Sequence, residues 1–157
     1  HEVTETGLSP DPWHSLQFPK KSAGLGLLWR DPGKKQWTKG RSLLLPDDRT
    51  SFPAGRVRIV TISSYSFLLE SGTQKRGTLK PGVTIMLTQR AKVPLNIFLK
   101  RNNGTRARMF SQVMSAGPRA RSNVVIYTAD GIDPPSPVKV LALPEIARTP
   151  TVPRNEH

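Results

Sequence analysis

Turn-forming residues punctuate this chain so densely that long helices are disfavoured along its whole length. Fifteen prolines and twelve glycines are spread over 157 residues, and each proline removes a helix donor and clashes with the turn before it. Between them lie short runs of β-branched and other apolar residues, with a turn signal roughly every 8 to 14 residues. That spacing predicts an all-β fold, a sandwich or a barrel of short strands.

The run Arg56-Val-Arg-Ile-Val-Thr-Ile62 is the strand around which the rest is expected to build. Five of its seven residues are β-branched, and Arg56 and Arg58 alternate with Val57 and Ile59. This is the period that separates a charged from an apolar strand face. After Ile59 the alternation slips a phase, so the strand is expected either to be buried on both faces or to carry a bulge. Ser63-Ser64 then separates it from Tyr65 to Glu70, as in a hairpin or a bulged continuation. Ser71 to Gly77 reads as a polar turn, Val83 to Thr88 as a strand and Pro94 to Arg101 as another, with Leu95, Ile97 and Leu99 on one face. Asn102-Asn-Gly104 is a strong hairpin signal, because these residues tolerate positive φ. The returning strand, Thr105 to Met114, places Arg106 and Arg108 beside Lys100 and Arg101. Ala116 to Arg121 reads as a basic loop, Asn123 to Thr128 and Pro137 to Leu143 as the last strands.

The length fits one domain with tails. The expected division is an extended N-terminal arm at 1–22, a β-sandwich domain at 23–144 and an irregular tail at 145–157. An arm too polar to fold alone needs anchors, and Trp13 and Phe18, with Trp29 and Trp37 beyond them, are the candidates.

Charge is distributed unevenly. The whole chain carries +13. Residues 1–18 hold three acids and no Lys or Arg, whereas 56–121 hold thirteen Lys or Arg against the single acid Glu70, a local +12. A field of that sign attracts an acidic protein surface or a polyanion, either nucleic acid or an anionic envelope polymer. Six cations are the expected contact set: Arg56, Arg58, Lys100, Arg101, Arg106 and Arg108. Phe98 and Phe110, interleaved with them, could serve as stacking platforms or as core.

Phe52-Pro-Ala-Gly-Arg-Val-Arg-Ile-Val-Thr-Ile, the Leu79-Lys-Pro-Gly turn and the late Val124-Val-Ile-Tyr127 run together resemble small secreted bacterial immunoglobulin-like domains. The resemblance covers about Phe52 to Leu143. It implies an immunoglobulin-like β-sandwich of about seven to nine short strands and an exported location, periplasmic or extracellular, and it implies no site residue. A start at His1 without an initiator Met points the same way, to a removed leader.

Chemistry is sparse. There is no cysteine, so no thiolate ligand or cysteine nucleophile exists. The middle of the chain has no His, its lone acid Glu70 has no neighbouring carboxylate, and no GxSxG, P-loop, GxGxxG or HExxH occurs. Ser63, Ser64 and Tyr65 read as a structural turn, and no catalytic residue or cofactor is expected. A leading His1 resembles the histidine-brace copper proteins of β-sandwich fold, which need a second imidazole; His14 and His157 are the only others, and a copper site on His1 and His14 is the minor alternative to no metal. Asn103-Gly104-Thr105 is a glycosylation sequon on a eukaryotic secretory route, but a hairpin turn accounts for the same residues and takes precedence. No run approaches the roughly 18 apolar residues of a spanning helix. The expected role is therefore that of a non-enzymatic, exported structural or accessory subunit, binding other subunits of an assembly through its arms and a basic β-face. A polyanion-binding module is the alternative.

Overall fold

The computed structural model describes residues 3–4, 7–8, 14–18, 20, 23–31, 40–72, 74–88, 92–101, 103–114, 117, 119–129 and 136–146. Among these the chain is all-β, with twelve strands and no helix. No helix is therefore long and apolar enough to cross a membrane among the described residues. The chain divides into two compact units, His1–Phe52 and Pro53–His157.

The first unit contains β1 (Val3–Thr4) and β2 (Gly7–Leu8), a minimal antiparallel pair, and the hairpin of β3 (Gly24–Arg30) and β4 (Gly40–Pro46). The N-terminal segment read as an extended arm thus includes a small strand pair. The hairpin runs in unbroken register from Gly24 opposite Pro46 to Arg30 opposite Gly40. The Asp47 N–H closes its base on the Ala23 carbonyl at 2.8 Å. Leu16 and Phe18 lie over β3 where Gly24 and Gly26 present no side chain: a Cβ built at Gly24 would stand 3.0 Å from the Phe18 ring, and one at Gly26 3.2 Å from it.

After β4, Asp48 organises a tight turn. Its Oδ1 accepts the backbone N–H groups of Thr50 and Ser51, each at 2.9 Å. Donation from Ser51, and then from Thr50, favours the ionised carboxylate and holds its pKa below the ordinary 3.8. A lowered folded pKa means that the charged form contributes stability in full above the ordinary value, and that this is lost as pH falls through the folded value. The stability gap between the native protein and Asp48→Asn is expected to be open at neutral pH and to close in strong acid. Thermal unfolding across that range measures it.

The second unit is built from β5 (Arg56–Thr61), β6 (Phe67–Ser71), β7 (Gln74–Leu79), β8 (Thr84–Thr88), β9 (Val93–Lys100), β10 (Arg106–Met114), β11 (Ala120–Thr128) and β12 (Val138–Ile146). They form two four-stranded sheets, β10-β9-β6-β7 and β12-β11-β5-β8. Period-two alternation gives each sheet an apolar face. Val57, Ile59, Leu87, Val124, Ile126 and Val138 from one sheet join Phe67, Leu69, Leu79, Leu95, Ile97, Leu99 and Met114 from the other in a single buried cluster. The arrangement is that of a β-sandwich.

Three details of the strand reading are corrected, and one open alternative, the burial of β5, is decided. β5 and β6 are not a hairpin or a continuation, since each lies in a different sheet, and the Ser63–Ser66 segment carries the chain across. β5 is buried on both faces from Val57 to Thr61 and carries no bulge; it is an interior strand, parallel to β11 and antiparallel to β8. The stretch read as a turn at Ser71 to Gly77 holds most of β7, whose pairing with β6 absorbs an irregularity between Leu69 and Glu70. Finally, β11 starts at Ala120 inside the expected basic loop, and β12 runs through Pro144 to Ile146. Proline fits there because β12 is an edge strand, with no ladder bond to lose on its outer side.

One buried polar atom inside the sandwich has no partner among the described residues. Thr61 is 1% exposed, and its Oγ1 makes no hydrogen bond to any of them. An orphaned hydroxyl costs its desolvation, so an apolar residue of the same shape is expected to be better tolerated. Thr61→Val is expected to raise the unfolding free energy by about 1 kcal/mol, measured by urea denaturation.

Candidate binding face on the β9–β10 hairpin

The alternation of β9 decides what its outer face presents. Leu95, Ile97 and Leu99 are buried in the core, so Asn96, Phe98 and Lys100 point outward. Register then places Arg106 opposite Lys100 and Arg108 opposite Phe98 on β10, and Leu68 opposite Phe98 and Glu70 opposite Asn96 on β6. The outward set is therefore one continuous patch across three strands. Arg108 is followed by a bulge that shifts the β10 register before Phe110. Met109 and Phe110 both pack against the core cluster. Of the two candidate stacking rings, Phe98 thus faces outward and Phe110 inward.

Arg106 spans this patch. Its guanidinium lies 4.6 Å from the centroid of Phe98, and its Nη1 donates to Glu70 Oε1 at 2.7 Å. The side chain thus reaches from β10 over the β9 ring to a carboxylate on β6. Facing Arg106 directly, Lys100 is a like charge in a cross-strand pair, a destabilising arrangement on its own. Glu70 supplies the compensation, and the only acid in the basic middle of the chain is found at the point where cations crowd most. Lys100, Arg101 and Arg108 are exposed and have no ion pair among the described residues. Four cations against one carboxylate leave the hairpin end of the sheet with a net +3.

The other two expected contact residues do not belong to this patch. Arg56 and Arg58 lie on β5, in the opposite sheet. Arg56 is half-buried and donates through Nη1 to Thr88 Oγ1 on β8. Arg58 is only 3% exposed, and its Nε donates to Asn123 Oδ1 on β11 at 2.7 Å. The expected basic outer face of β5 is corrected accordingly, because alternation tells which face a residue occupies and cannot tell whether that face is covered. Arg58 is a structural cation, bound inside the fold.

Among the anchors, Phe18 is half exposed and rests on β3, and Trp29 is half-buried on β3 opposite Arg41. Trp13 and Trp37 lie outside the described residues, as do His1 and His157. His14 is half-buried, and no group of three or more potential ligands comes together among the described residues. Ser63 is buried, its Oγ accepting from the Tyr65 N–H at 3.2 Å and from the Thr128 hydroxyl at 3.4 Å. These contacts pin the crossover between the two sheets. A further ion pair, Arg121 with Glu145 at 2.9 Å, ties β11 to the edge strand β12.

No family model matches the sequence, and neither does any curated protein or solved structure.

Proposed function

We propose that this chain is a non-enzymatic binding subunit, exported and immunoglobulin-like in its second unit, which docks on an acidic protein surface through the outer face of the β9–β10 hairpin. One observation carries the reading: Lys100, Arg101 and Arg108 are exposed on one hairpin without an acidic partner among the described residues, while Glu70 and Phe98 hold Arg106 in place beside them. Three uncompensated cations on a stiff sheet attract a complementary surface at long range and fix its register on contact. Residues 1–22, with the half-exposed Phe18 ring, are the second docking element toward neighbouring subunits. The immunoglobulin-like assignment is supported by the two four-stranded sheets closed over one core and by the three antiparallel hairpins β6–β7, β9–β10 and β11–β12.

A second reading, a polyanion-binding module, is favoured by Phe98. An outward ring among cations is the element on which a nucleic-acid base stacks while phosphates meet Lys and Arg. Arg106 already occupies one face of that ring, which ranks this reading second.

Fluorescence anisotropy with the full chain separates the two, using labelled poly-glutamate and a labelled single-stranded oligonucleotide as probes. Under the first reading poly-glutamate binds at low salt, weakens steeply as salt rises, and loses about tenfold in affinity, on the order of 1.4 kcal/mol, in Lys100→Glu/Arg108→Glu. Oligonucleotide binding that drops in Phe98→Ala, without poly-glutamate binding, would establish the second. Indifference to both probes at low salt overturns the basic face as a binding site.

A further inference from the structure

The turn joining β9 to β10 holds a feature that the hairpin does not need. Among the described residues its backbone closes through two hydrogen bonds: the Arg101 N–H to the Thr105 carbonyl at 3.0 Å, and the Gly104 N–H to the Arg101 carbonyl at 3.1 Å. Gly104 supplies the positive φ, 79°, which accounts for glycine there. Neither requirement calls for threonine at 105.

Thr105 nevertheless engages Asn103 twice. Its N–H donates to Asn103 Oδ1 at 3.1 Å and its hydroxyl donates to the same oxygen at 2.6 Å. A backbone N–H can only donate, so the amide orientation is fixed with oxygen toward the turn. Nδ2 is left on the far side, with no hydrogen bond among the described residues. Two donors on the oxygen polarise the carboxamide and make its N–H more acidic, which is the direction needed for an amide nitrogen to act as a nucleophile. Both residues are exposed, and a Cβ built at the intervening Gly104 would meet nothing within 4 Å. Asn103, Gly104 and Thr105 thus all face solvent at the tip of the hairpin. Asn103-Gly104-Thr105 is the only Asn-x-Ser/Thr triplet in the sequence, and its middle residue is not proline.

We infer that Asn103 is an N-linked glycosylation acceptor, modified when the chain enters a compartment that holds an oligosaccharyltransferase. In the transfer, Nδ2 forms a bond to the anomeric carbon of a polyprenyl-pyrophosphate-linked oligosaccharide. The bond from that carbon to the pyrophosphate oxygen breaks with its electron pair, and the Nδ2 proton passes to a base of the transferase. The attached glycan projects from the tip of the hairpin, next to Arg101, and leaves Arg108 open farther along β10. The inference stands apart from the acidic-partner reading, since it rests on Asn103 and Thr105 and requires no cation.

Cell-free translation of the full chain behind an appended signal peptide, with and without microsomes, tests it by a readout that does not require the product to fold. The native sequence is expected to gain one glycan with microsomes, and peptide N-glycosidase should remove it and leave Asp at position 103. Thr105→Ser should keep the modification, whereas Asn103→Gln and Thr105→Ala should abolish it. An unmodified native product that has entered the microsomes overturns the inference, and so does a glycan that persists in Asn103→Gln.

Discussion

Phe67→Ala is expected to lower the unfolding free energy by about 3–5 kcal/mol, the range for emptying an aromatic site in a close-packed core. Phe67 is fully buried on β6, pairs in register with Leu79 on β7 and Leu99 on β9, and belongs to the cluster shared by both sheets. Its ring is thus enclosed by three strands of its own sheet and by the facing one. Neighbouring strands are fixed by their ladders and cannot move in to fill the void, so little of the loss is recovered. Domains of this size have a total stability of only about 5–15 kcal/mol, and the variant should unfold at a much lower urea midpoint. Phe67→Leu retains most of the volume and should lose much less. A loss below about 1 kcal/mol for the alanine variant would mean that the two sheets do not pack as described.

The second large effect separates the structural cation from the cations proposed to bind. Arg58→Ala is expected to cost about 2–4 kcal/mol, because it leaves the buried Asn123 carbonyl without its charged donor and removes the packed side-chain stem. The same variant should bind an acidic probe with affinity close to native once allowance is made for the unfolded fraction, since Arg58 is enclosed. Arg108→Ala should do the reverse, leaving the denaturation midpoint nearly unchanged and weakening the probe. Combining Arg58→Met with Asn123→Leu removes both polar partners together and is expected to be less destabilising than Arg58→Met alone. Denaturation and anisotropy on these four variants and the native chain check all of this. If Arg58→Ala proved as stable as native and deficient in binding, the division of labour would be reversed.

That division matters to function because raw charge misleads. Of the six cations expected to act together, four share the β9–β10 hairpin and two are held by polar partners in the opposite sheet. Under the proposed docking, the net charge of the chain would not determine where an acidic partner sits. What would determine it is the subset of cations that folding leaves outward and without an ion pair among the described residues.

The sequence by itself determined the β character of the chain, the inward residues Leu95, Ile97 and Leu99 of β9 and the hairpin that follows it, because period-two alternation and Asn-Gly turn chemistry are local properties of the backbone. It also placed Lys100, Arg101, Arg106 and Arg108 on one hairpin, since a two-stranded turn brings near neighbours in sequence together. Only the tertiary structure decided that Arg56 is partnered on β8 and Arg58 buried and partnered on β11, that Glu70 is the counterion of Arg106, and that β5 and β6 part into different sheets. Each of these depends on pairing between residues about 30 to 65 positions apart. Strand pairing at that separation is fixed by the packing of whole sheets, through the apolar area each arrangement buries, and no local pattern encodes it.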